Sequence, residues 1–159
     1  MKIKQQNINK SLLILLSLSF FVRAVLAMIV EFGNDEVYYW TYAMYPDWSH
    51  FDHPPMVGWI IQIFSCNLLF DSEFFLRLSS IVFMTVNTYL IFLIGRQVKN
   101  EQTGFYAALL YTASIYAFVI TGIFILPDTP LSIFTLLAIL QFVKYFQYEK
   151  NKHLLLAGL

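Results

Sequence analysis

The residues able to do chemistry gather between Asn34 and Pro55. Asn34-Asp35-Glu36-Val37-Tyr38-Tyr39-Trp40 opens this stretch, and Trp48-Ser49-His50-Phe51-Asp52-His53-Pro54-Pro55 closes it. With Asp47 it holds four carboxylates and two imidazoles among a crowd of aromatic rings. A carboxylate beside apolar surface can be tuned as a general base, and a carboxylate with an imidazole can hold a divalent cation. No His-x-x-x-His or cysteine pattern names a metal, so a cation of unknown identity rests on Asp52 alone. Asp35-Glu36 by itself also fits a solvated acidic pair at a helix exit. Its company, Asp52-His53 and the box of Tyr38, Tyr39, Trp40, Trp48 and Phe51, raises the functional reading. A further acid stands in Pro127-Asp128-Thr129-Pro130, where the prolines keep it at a break between helices. Asp128 either caps the helix beginning near Pro130 or serves the same site.

These acids sit in a chain made for lipid. Of 159 residues, 58% are hydrophobic and only 13% charged, against roughly 25% charged in a soluble domain. Net charge is zero and no basic block exists, which excludes a nucleic-acid partner. Cys66 is alone, so neither an internal disulfide nor a cysteine-based zinc motif can form; it reads as a small apolar filler.

Ser11 to Val30 is long enough to cross a hydrocarbon core of about 30 Å, and Arg23 near its end argues for a retained span over a cleaved leader at Val25-Leu26-Ala27. Val37 to Tyr45 and Met56 to Phe70 are too short to cross and read as helices lying in the interface. Phe75 to Gly95, Thr103 to Leu126 and Leu131 to Phe146 are the remaining spans. This arrangement puts Lys2, Lys4, Lys10, Arg96, Lys99, Lys144, Lys150 and Lys152 on the cytoplasmic side, in keeping with the positive-inside rule. The expected fold is a single all-α membrane domain over 1–159, with about four transmembrane helices, the start of a fifth, and two interfacial helices in the first external loop. The ending, Leu154-Leu155-Leu156-Ala157-Gly158-Leu159, reads as the first turns of another span, hence as a fragment or truncated chain. Arg23 calls for a buried partner, and Asn87 for a hydrogen bond between spans.

Asp-Glu-x-Tyr-Tyr-Trp after the first span, Asp-Trp-x-x-Phe-Asp-His-Pro-Pro behind it, and Pro-Asp-x-Pro-Leu two spans later are specific in this order. Together they resemble the protein O-mannosyltransferase/aminoarabinose transferase superfamily, membrane glycosyltransferases of the GT-C fold. The resemblance runs from about Ser11 to the end, over the N-terminal part of that fold. It implies Asp35 as catalytic base with Glu36 beside it, Asp52 near a metal, His53 near the donor phosphate, and Asp128 as the acid of the second external turn. Some relatives carry Lys at the position of His53. The implied reaction moves a sugar from a polyprenyl phosphate to an acceptor hydroxyl, with inversion, at the extracytoplasmic face of a bacterial inner membrane, the N-terminus being cytoplasmic. The acceptor is a lipid, a glycan or a protein. The expected substrate contacts are His53, Asp128, Tyr39 and Arg77, the last as scarce external positive charge. Two other readings stand beside it: an inactive truncated remnant, and a non-catalytic transporter or assembly subunit with a polar path through Arg23, Asn87 and Asp128.

Overall fold

The computed structural model describes the backbone of residues 2–158 and the side chains of residues 7–158; the side chains of Lys2 and Lys4 lie outside the described residues. The elements are α1 (Lys2–Ile29), α2 (Asn34–Met44), α3 (Met56–Phe64), α4 (Glu73–Val98), α5 (Glu101–Ala113), a π-helical turn (Tyr116–Ile120), α6 (Asp128–Tyr148) and α7 (Asn151–Ala157). The described residues form no strand, and the protein is an all-α integral membrane protein. Asn7–Ile29, Glu73–Val98 and Asp128–Tyr148 are each long and apolar enough to cross a bilayer.

The third expected crossing, 103–126, is broken rather than continuous. At Ser114 the backbone turns extended, with ψ at 136°. Its hydroxyl donates to the Tyr111 carbonyl (2.9 Å) and accepts from the Ala117 amide (3.2 Å). A serine that can satisfy the backbone groups freed by a break makes the break tolerable. The chain then restarts as the π-helical turn, a form that accumulates at functional sites.

α4 is the centre of the bundle and lies against α1, α3, α5 and α6. Its polar residues face inward: Asn87 Nδ2 donates to Ser132 Oγ at 2.7 Å, the expected bond between spans. Ser80 Oγ donates to the Phe124 carbonyl at 2.9 Å. α4 and α5 approach so closely that a Cβ on Gly104 would stand 2.4 Å from the Phe92 carbonyl oxygen. Asn100 begins α5 by accepting the Thr103 amide at 2.9 Å. At that same end Gln97 of α4 meets Gln147 and Tyr148 of α6.

α2 and α3 cross the opposite end. Gly58 is the contact point, since a Cβ there would lie 2.8 Å from the Tyr42 backbone. Gln62 Nε2 ties α3 to the Ala43 carbonyl at 3.1 Å. The apolar run expected to reach Phe70 as helix stops at Phe64. Cys66, Asn67 and Leu68 follow with φ of 51°, 58° and 63°, in the left-handed region. Leu68 is held there by its amide on Ser65 Oγ at 3.0 Å. Nine residues make a helix of about 13 Å, far short of a span. Cys66 is exposed on this turn, and so is no buried filler.

Candidate functional site

α2 starts at Asn34, three residues before the aromatic run suggested, because Glu36 reaches back to the Gly33 amide at 3.1 Å. That same carboxylate is buried, and so is Arg77 at the start of α4. Arg77 Nε and Nη2 donate to Glu36 Oε1 and Oε2 at 2.8 and 2.6 Å, a bidentate pair. Arg77 also donates to the Ala27, Val30 and Glu31 carbonyls at the end of α1. A guanidinium has five N–H donors, and these five acceptors engage them all. Its planar face lies over Phe32, 4.9 Å from the ring centre. Glu36 Oε1 finally accepts the Ile125 amide at 3.1 Å. One buried carboxylate therefore joins α1, α2, α4 and the segment leading to α6.

This geometry gives Glu36 and Arg77, both expected to face substrate, a different position. They are turned away from solvent and spent on each other. Arg77 has no donor left for a phosphate.

Asp35, one residue earlier on α2, points elsewhere. It is exposed and lines a cleft of about 470 Å³ with Val30, Glu31, Ile120, Phe124 and Leu126 among its walls. Its lining is mixed, the acids Glu31, Asp35 and Glu36 standing beside the four apolar side chains. Ile120 comes from the π-helical turn, so the break in the third crossing shapes this cleft. Asp128 is half-buried in the first turn of α6. Pro127 holds the cap position without a side-chain hydrogen bond, so Asp128 is not the capping residue. The Tyr116 hydroxyl from the π-helical turn lies against the Asp128 carboxylate.

Asp52 is fastened by a pair of tyrosines one turn apart on α2. Tyr38 Oη donates to Asp52 Oδ1 at 2.7 Å, and Tyr42 Oη donates to the same oxygen. These phenol donors, Tyr42 first and then Tyr38, hold the Asp52 carboxyl below the usual carboxylate range. His53 Nε2 stands 3.8 Å from Asp52 Oδ2. His50 stacks on Tyr42, with ring centres 3.6 Å apart, and its buried Nε2 has no partner. Tyr39 is buried beneath, its ring 5.5 Å from that of His53. Burial raises the Tyr39 phenol first, and the carboxylates of Asp52, Asp35 and Asp128 raise it further. The charges of all three aspartates thus reach one tyrosine.

A divalent cation fits this set poorly. Among the described residues no three carboxylate, imidazole or thiol groups converge, and Asp52 Oδ1 already takes two phenol protons. Arg23 is buried without a carboxylate. It donates to the Phe118 and Ala117 carbonyls of the π-helical turn, each at 3.4 Å, and lies over the Phe118 ring. Its partner is backbone, which the sequence reading did not anticipate. The Tyr38–Tyr42 pair was also missed, although tyrosines four apart on a helix share a face and could have been read as a joint donor.

The sequence profile of the dolichyl-phosphate-mannose-protein mannosyltransferase family matches residues 52–159. That region includes Asp52, His53, Arg77 and Asp128 and leaves Asp35 and Glu36 outside. No curated protein and no solved structure matches the chain.

Proposed function

Starting from the fact that this chain belongs to the dolichyl-phosphate-mannose-protein mannosyltransferase family, we propose that it carries the acceptor-activating part of an inverting membrane glycosyltransferase. The donor is a sugar on a polyprenyl phosphate, and the reaction takes place at the extracytoplasmic face. Asp35 is the general base: it takes the proton of an acceptor hydroxyl as that oxygen attacks the anomeric carbon, and the lipid phosphate departs. The observation that carries this reading is the division of labour in the Asp-Glu pair. Glu36 also lines the cleft, but it is buried and both its oxygens are engaged by Arg77 and by the Gly33 and Ile125 amides, while Asp35 is exposed in the same cleft, whose apolar side chains suit an isoprenoid or the apolar face of a sugar.

A departing phosphate is stabilised by positive charge. Between Glu31 and Gly95 the single Arg or Lys is Arg77, which is fully engaged. Of the two imidazoles in this loop, His50 is stacked on Tyr42, and we assign His53, half-buried beside Asp52, to the phosphate. Asp52 holds His53 and the loop in place through the two tyrosines. We assign Asp128, beside Tyr116, to contact with donor or acceptor hydroxyls.

The test is Asp35→Asn in the full protein, in membranes, with a lipid-linked sugar donor. Transfer should fall by at least about 100-fold, the size of a general-base contribution, with insertion unchanged. Transfer at the wild-type rate would remove Asp35 from the role.

A further inference from the structure

The loop between α2 and α3 builds a second cleft, of about 480 Å³, lined by Pro46, Asp47, Trp48 and Trp59. The two indoles meet at 85° with ring centres 5.5 Å apart, forming a right-angled corner. Trp48 is 84% exposed, an unusual state for the largest apolar side chain. Asp47 accepts the Trp48 amide through Oδ1 at 2.7 Å, which braces the turn and leaves Oδ2 for a ligand. Flat indole faces with one adjacent carboxylate match a pyranose. The C–H face of the sugar lies on the ring, and its rim hydroxyls donate to the carboxylate.

Charge narrows the occupant. With Asp47 in the wall and Asp52 on the same loop, both exposed, the cleft repels a phosphate, so it does not take the donor. Lipid is disfavoured for the same reason, since carboxylates are costly in hydrocarbon. We propose that the Trp48–Trp59 corner is a carbohydrate subsite holding a neutral sugar unit of the acceptor, remote from the hydroxyl that reacts. This rests on the glycosyltransferase reading above. The corner follows the C-terminal end of α2 and Asp35 lies in its first turn, so the two are separated by roughly 15 Å of helix. Binding energy gained at such a distance can orient the acceptor for the reacting centre.

The experiment uses the full chain in lipid nanodiscs. Neutral trisaccharides (mannotriose, maltotriose) are titrated against indole fluorescence, with a neutral Ser/Thr-rich peptide and brominated-lipid nanodiscs as parallel arms. The expected result is a saturable response to one trisaccharide, weakened at least tenfold in Trp48→Ala and in Asp47→Asn. Trp48→Phe should restore most of the affinity, and Asp35→Asn should leave it unchanged. No saccharide response, an unaffected Trp48→Ala, or saturation by the peptide alone would overturn the proposal. Bromolipid quenching that disappears in Trp48→Ala would overturn it too, by making Trp48 a bilayer anchor. Saccharide binding without any transfer would refute the catalytic reading and leave the subsite; Asp35-dependent transfer without saccharide binding would do the reverse.

Discussion

Replacing Glu36 by Ala should damage the fold rather than the chemistry. The substitution leaves Arg77 with two donors unmatched and a buried positive charge without its counter-ion. It also takes the acceptor from the Gly33 and Ile125 amides. Removing one partner of a buried pair costs about 3–5 kcal/mol, and a chain of this length converts that to a Tm loss of about 10 °C. Glu36→Gln keeps the shape and should cost about half as much. The diagnostic variant is Glu36→Ala with Arg77→Met, which removes the stranded charge and should recover much of the loss. Tryptophan-monitored unfolding in mixed micelles measures all four proteins. Two results would refute the reasoning: Glu36→Ala within about 1 kcal/mol of wild type, or a double variant no more stable than Glu36→Ala. A stable but inactive Glu36→Ala protein would return Glu36 to the chemistry.

Other outcomes follow from the same contacts. Tyr42→Phe and Asp52→Asn should loosen the loop between α2 and α3 without unfolding the bundle, read as faster proteolysis between Tyr45 and Pro55. Because the Asp52 carboxyl is held below its ordinary value of 3.8, its contribution is complete above that pH and is lost as the pH falls beneath it. Pepsin cleavage of the loop should therefore rise below about pH 3.8 in wild type, and Asp52→Asn should lose that step. Gly104→Ala would press a Cβ into the Phe92 carbonyl oxygen, 2.4 Å away, at the end of the bundle far from the acids. It should destabilise by about 1–3 kcal/mol and lower the yield of folded protein, with the turnover of the surviving fraction unchanged.

Length and hydropathy were enough to find α1, α4 and α6, because a lipid-crossing helix writes its composition over twenty residues. The short helices were legible in kind but not in extent. α2 gained three residues through the Glu36 cap, and α3 lost its last six at the left-handed turn. The break at Ser114 was invisible because its cause is one hydroxyl in an apolar run. Within the site, the stretch holding the acids was readable, but the direction each acid faces was not. Asp35 and Glu36 are adjacent and chemically alike, and only the position of Arg77, 41 residues away, divides them. Arg77 looked like spare positive charge because its three carbonyl partners lie at the C-terminal end of α1, where the last carbonyls have no helical partner, and a sequence does not show what meets them.

The bond from the Ile125 amide to Glu36 spans 89 residues of chain, and it works as a rivet through the mouth of the bundle. Asp35 precedes one side of the rivet and Asp128 follows the other by three residues, so the separation of these two acids is set at assembly and is not free to widen for a visitor. On the proposed reading, a lipid-linked donor would come in sideways, past the flank of α1 where Met28 and Ile29 are exposed, instead of by prising the two walls apart.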